Sequence, residues 1–276
     1  MQQTSSSRSS AVITPIGLDH EAFLGKGLAV IAGEKAGIFK QGCSAVSSQQ
    51  APAAAQTLRA RAHELGVRLT FAPERWTLNR VEPDERGRFR FLASAHGTSV
   101  EVAVDLAGEH QVENALTALC ALDRLGVGLE HISRGIASVE WPGRLEWFAG
   151  RPPVLLDAAH NPAGAKTLAR YLERFHSDRD IHLIYGSSRD KAVEEVAALL
   201  FPQARRVTLT QSQVARSVSP AALEALVDHL HDRIDHADTV LAALERARRD
   251  AHPSTLIVIA GSIFLIGEIR EQILAN

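Results

Sequence analysis

Four short apolar runs punctuate the second half of the chain: "PVLLD" ending at Asp157, "IHLIYG" at Gly186, "RRVTLT" at Thr210 and "TLIVIAG" at Gly261. Each is too short for a buried helix and reads as a strand. Between them lie stretches with helical spacing. In "HNPAGAKTLARYLERF" the residues Ala165, Leu168, Ala169, Leu172 and Phe175 share one face, Asn161 is placed to cap, and Pro162 takes the first helical position. Further helices are expected around Val193 to Leu200, Pro220 to Leu230, Val240 to Ala247 and Phe264 to Leu274. Buried strands alternating with amphipathic helices imply a mainly parallel sheet covered on both faces, because right-handed crossovers lay helices there. Residues 150–276 are therefore expected to form a Rossmann-like α/β domain.

The first half is more mixed. "AVITPI" and "CSAVSS" read as strands, Gly25 to Ala36 and "APAAAQTLRARAHELG" as helices, and Trp76 to Val104 alternates as antiparallel hairpins do. Two helices follow, roughly Gln111 to Leu125 and His131 to Val139. This gives a partial central α/β domain over residues 12–149, after a short disordered start at 1–11.

Composition narrows the function classes. The 276 residues are 45% hydrophobic and carry a formal charge of −2 with the two signs interleaved, which gives no electrostatic grip on nucleic acid or an anionic membrane. Cys43 and Cys120 lie far apart without ligand spacing and read as small buried residues of a reducing compartment. No apolar run is long enough to cross a bilayer, so a cytoplasmic protein is expected.

In a parallel sheet ligands gather at the carboxyl ends of the strands, which points to Asp157 through Asn161, to Gly186 through Lys191, and to Gly261 and Ser262. "LLDAAHNPAGA" sets an acid, an imidazole and a helix N-terminus in one turn. It is either a capped junction or a site that orients an amine and accepts an anion. Asp190 and Lys191 read as a polar turn at a helix start, or as a second strand-end site. Arg144 in "WPGRLEW" is either solvated or a phosphate clamp. In the opening segment, His20 is a candidate metal ligand, with Asp19 or Glu34 to assist. Lys35 is either a solvated helix lysine, a phosphate-binding charge or, if carbamylated, an anionic metal ligand.

"GLDHEAFLG…IAGEKAGIFKQG", "HQVENALTAL", "PGRLEW", "LLDAAHNPAGA", "RDK" and "AGSIFLIGEIR" occur in an order and spacing that resembles the folylpolyglutamate synthase/dihydrofolate synthase family, relatives of the Mur ligases. The resemblance runs from about Val12 to the C-terminus. It implies a two-domain, ATP-dependent ligase that joins L-glutamate to folate or dihydropteroate through an acyl phosphate, with magnesium. Carried over by motif, His20 and Lys35 match metal ligands, Lys35 as the carbamylated lysine. Asn114, Arg144 and Asp157 match residues around ATP, and His160 and Ser262 match positions that orient glutamate. The catalytic set implied is Lys35, Asp157 and His160.

One departure stands out: the family's glycine-rich P-loop, GxxxxGK[ST], has no counterpart in these residues, since Gly25 to Gly27 lacks its upstream glycine. A split enzyme with a P-loop-bearing partner chain, a truncated reading frame and a non-catalytic folate- or glutamate-binding remnant are the competing explanations. A Mur-type amino-acid ligase is the alternative activity. Loss of the leading strands would also leave Val12 to Ser47 poorly covered.

Overall fold

A computed structural model describes residues 10–17, 27–189 and 192–275 of the chain. They fall into two compact units. The first comprises the described residues up to Asp105 together with Glu109–Glu140, and the second comprises Leu106–Gly108 and everything described from Trp141 onward. The second unit thus begins ahead of residue 150, the boundary expected from the sequence. The reason is a short strand, Glu146–Phe148, that pairs antiparallel with the first strand of the large sheet.

In the first unit, β1 (Ser10–Ile13), β2 (Ser44–Ser47) and β3 (Arg68–Phe71) form a parallel sheet in that order. Ser10 and Ala11, expected in a disordered start, instead pair with Ser44 and Ala45. Helices α1 (Leu28–Lys35) and α2 (Pro52–Glu64) supply Ala32, Ala54, Leu58 and Ala62 to a core shared with Ile13 and Ala45. After a single helical turn, Ala72–Arg75, the chain makes an antiparallel meander of β4 (Thr77–Pro83), β5 (Phe89–Ala95) and β6 (Thr98–Val104). Phe89, Phe91 and Ala93 alternate inward along β5, as a strand with one buried face requires. Helices α3 (His110–Arg124) and α4 (Leu129–Ala137) follow, and the apolar stripe of α3 runs from Val112 through Leu116 to Leu119 and Cys120.

The second unit carries a six-stranded sheet. Its strands are β7 (Glu146–Phe148), β8 (Val154–Asp157), β9 (Asp180–Tyr185), β10 (Arg206–Leu209), β11 (Ile234–His236) and β12 (Thr255–Ala260), in the order β11-β10-β9-β12-β8-β7. All but β7 run parallel. Helices α5 (Pro162–Phe175), α6 (Val193–Leu200) and α7 (Pro220–Val227) cover one face, packing on Leu155, Leu183, Val207 and Val258. Helices α8 (Val240–Arg249) and α9 (Ile263–Leu274) cover the other, on Leu156, Ile184, Ile257 and Ile259. Successive residues of one strand thus face opposite helix layers, so β12 is buried along its whole length, as a doubly covered parallel strand must be.

Candidate functional site

The register of the large sheet brings the predicted strand ends together. Asp157 of β8 lies opposite Ala260 of β12, and Ala260 lies opposite Tyr185 of β9. The turns that leave these strands, Ala158–Asn161 and Gly261–Ser262, therefore start side by side. Gly261 has φ +108, and a Cβ there would run into the carbonyl oxygen of Gly186 and the ring of Tyr185. Only glycine lets the two strand ends approach this closely.

Asp157 is held from both sides. The amide of Leu145 donates to one carboxylate oxygen at 2.9 Å and the amide of Ala159 to the other at 2.9 Å. Leu145 reaches this position at φ +45, a conformation costly for a branched side chain. Burial pushes the Asp157 carboxyl up to about 6, against the pull of the two amides and of the Arg144 charge. The turn carrying Arg144 is pinned by Glu146, which accepts from the amide of Gly143 at 2.8 Å and from Arg270 at 2.9 Å. Arg144 itself is exposed.

His160 Nδ1 lies 2.8 Å from the carbonyl oxygen of Ala158. A carbonyl can only accept, so in the neutral ring Nδ1 carries the proton and Nε2 is left with its lone pair. Next to it, Asn161 Oδ1 accepts from the amide of Gly164 at 2.8 Å and caps α5. Ser262 caps α9 by accepting from Phe264 at 3.3 Å. Its hydroxyl proton is not used by that bond.

The remaining predicted residues belong to the first unit or lie outside the described residues. Lys35 ends α1, exposed, where the helix dipole favours a cation. Asn114 lies in the first turns of α3 and donates to Gln111 at 3.0 Å. His20, Asp19, Asp190 and Lys191 are outside the described residues. Among the described residues no group of three metal-ligating His, Cys, Asp or Glu side chains occurs. Cys120 is buried, with its thiol pushed up to about 11 by burial, which argues against a nucleophile. Cys43 is half-buried rather than buried.

Sequence reasoning missed a polar cluster in the first unit. Gln50, buried, donates to the carbonyl of Thr14 at 2.9 Å and to Ser47 Oγ at 3.1 Å, and accepts from the amide of Ile16 at 3.0 Å, tying together the turns after β1 and β2. Glu113 is raised by burial and is held partly down by a hydrogen bond from the backbone of Gln49. The signal was present in "SAVSSQQ", where polar residues directly follow an apolar strand.

Two family models match in tandem: the Mur ligase middle domain over residues 2–122, and the Mur ligase, glutamate ligase domain over residues 143–263. The chain belongs to the Mur ligases. This Mur ligase chain is 32% identical, over 94% of its length and 59% of the relative's, to the dihydrofolate synthase/folylpolyglutamate synthase of Mycobacterium tuberculosis. It is 27% identical to the protein of the same name from Bacillus subtilis, over 95% of itself and 62% of that protein. Among solved structures, M. tuberculosis folylpolyglutamate synthase complexed with ADP and AMPPCP superposes with a TM-score of 0.84 at 31% identity, covering 96% of this Mur ligase and 63% of that chain. The E. coli FolC protein in complex with DHPP and ADP gives 0.82 at 27%, covering 96% and 61%. The chain thus spans about three fifths of the length of the curated relatives it matches.

Proposed function

We propose that this Mur ligase chain provides the glutamate-adding part of an ATP-dependent folylpolyglutamate synthase/dihydrofolate synthase. The observation that carries the reading is the Asp157 carboxylate, clamped by two amides at the end of β8, beside His160 and the Ser262 turn, within a stretch that matches a glutamate ligase domain. Support for the substrates comes from relatives named for folate synthases, and support for the nucleotide from solved relatives bound to ADP.

Above pH 6 Asp157 is anionic and fit to hold a cation, either the ammonium of incoming glutamate or a charge accompanying the nucleotide. The Nε2 lone pair of His160 is suited to take the proton that the amine must lose. The free proton of Ser262 and the capped N-terminus of α5 are suited to a substrate carboxylate. In the coupling step the amine nitrogen forms a bond to the acyl carbon, the bond from that carbon to phosphate oxygen breaks, and phosphate leaves. Arg144 is suited to clamp phosphate charge.

Magnesium, which would neutralise phosphate charge if bound, is implied by the family resemblance. Of its two carried-over ligands, Lys35 is an exposed amine unless carbamylated and His20 is outside the described residues, so no step here is routed through the metal. A P-loop-bearing partner chain is the proposed source of the glycine-rich loop that would cradle the phosphates of ATP.

The test is to mix the chain with the P-loop half of a homologous synthase, ATP, magnesium, dihydropteroate and glutamate, and to follow glutamyl addition by mass spectrometry. Addition should occur, should fall below about pH 6 as Asp157 protonates, and should drop at least about a hundredfold in His160→Ala. Absence of any glutamyl product from the mixture, with both halves folded, would refute the reading.

A further inference from the structure

The opposite edge of the large sheet, where the parallel strands begin, carries two cavities of contrasting charge. Over β9, β10 and β11 acidic and basic residues are mixed, and two of the three lining arginines are paired in place. Arg205 pairs with Asp180 at 2.9 Å, and Arg206 pairs with Asp235 at 2.6 Å and Asp250 at 2.8 Å. The second cavity, about 640 Å³, opens ahead of β8 and β12, and its ionisable lining is Arg151, Arg179, Arg248 and His252 with no carboxylate. None of these three guanidinium groups forms an ion pair among the described residues, and all three residues are exposed. Trp147, stacked on His176 with ring centroids 5.3 Å apart, forms part of the wall, and Pro152 and Pro153 stiffen the turn beside it.

Chance placement accounts poorly for this arrangement. The dipole of α8 favours a cation at Arg248, in its last turn, but Arg151 and Arg179 sit in turns that feed β8 and β9, where no dipole favours them. Like charges that share one cavity repel unless an anion lies among them. Guanidinium forks match carboxylate and phosphate oxygens in pairs, and the volume is that of ordinary small-ligand sites.

We propose that this cleft binds a small multivalent anion bearing phosphate or carboxylate groups, separate from the strand-end site at Asp157. The ligand chemistry common to both sources is two or more oxyanions spaced to engage Arg151, Arg179 and Arg248 together. Because the cleft lies at the amino ends of the strands, its occupancy is independent of whether the carboxyl-end residues perform ligation.

The test titrates the full chain, at fixed ionic strength, with pyrophosphate in one arm and γ-linked triglutamate in the other. Trp147 fluorescence is the local readout, with Trp147→Phe identifying its share of the signal, and calorimetry gives the affinity. Saturable binding of at least one probe is expected, weakened about tenfold or more in the double variant R151Q/R248Q, the loss of one or two charge-assisted hydrogen bonds. Arg205→Gln, in the mixed-charge cavity, should bind like the unaltered chain. The arm that responds tells phosphate from carboxylate ligands. No saturable binding in either arm, full affinity retained in R151Q/R248Q, or equal weakening in Arg205→Gln would each overturn the proposal. Since all three arginines are exposed, circular dichroism of the variants should match the parent.

Discussion

The two units solve the same problem, a parallel sheet under helices, with different completeness. In the second unit, four of the five helices begin with a side-chain cap: Asn161, Ser219, Thr239 and Ser262. In the first unit, none of α1 to α4 has one. Strand β12 is buried at every position. Strand β1 pairs only with β2 among the described residues and leaves Val12 42% exposed. A sheet whose central strands are covered on both faces, with helices punctuated by their own residues, holds its register unaided. One with an open apolar edge relies on whatever else packs there. The difference predicts that limited proteolysis of the whole chain cuts first between residues 10 and 52, while fragments beginning near Trp141 persist.

The largest effect expected from a single substitution lies where the second unit is tightest. Gly261→Ala would place a methyl group against the Gly186 carbonyl and the Tyr185 ring at a φ that alanine rarely adopts. Destabilisation by about 3 kcal/mol or more follows from combined overpacking and backbone strain. Urea unfolding followed at Trp147 should register it, whereas unfolding followed at the buried Trp76 of the first unit should shift less. Equal shifts at both probes would break the comparison.

Next comes the charge at Asp157. Its carboxyl rises in the folded state from the ordinary 3.8 to about 6, chiefly through burial. Because the folded value is the higher one, the neutral acid is the form that folding favours. Its contribution is complete below about pH 4 and is lost as pH climbs through 6, roughly 3 kcal/mol in all at about 1.4 kcal/mol per pH decade. Stability of the second unit should therefore decline over that window. In Asp157→Asn the decline should be absent, whatever the absolute stability of the variant.

Much of the second unit was legible because its strands are buried on both faces. Nothing but a central parallel strand explains "TLIVIAG". Strands β3, β7 and β11 were missed for the converse reason. They stand at sheet edges, with exposed Arg68 and half-exposed Glu146 and Asp235, and only pairing with a neighbour makes them strands. The same holds at the candidate site. Asp157, His160 and Ser262 could be read from their places after apolar runs, but the amide of Leu145 could not. Its bond to Asp157 depends on a positive φ that no leucine advertises. Arg144 could be read as either a solvated residue or a phosphate clamp, while the role of Glu146, which pins its turn to Arg270, could not be read because that partner lies at the far end of the sequence.

A smaller effect is expected at the cap of α9. Ser262→Ala removes the hydroxyl that accepts from Phe264 and should cost the second unit about 1 kcal/mol. Ser262→Asn retains a capping oxygen and should recover most of it. Thermal unfolding separates the two variants, and equal losses would mean that the hydroxyl matters for something other than the cap.

The smallest effect has the opposite sign and belongs to the first unit. Gly33 lies inside α1, exposed, and a Cβ there would meet only Thr57 Cγ2 at 4.0 Å, an ordinary contact. Gly33→Ala removes backbone freedom from the unfolded chain without straining the helix, so the first unit should gain about 0.5–1 kcal/mol. If the incomplete coverage of this unit limits its stability, the gain should appear in full as an upward shift of the Trp76 transition, with the Trp147 transition unmoved. A gain shared by both probes would mean that the two units unfold together, and the contrast drawn from caps and exposed edges would then have no thermodynamic counterpart.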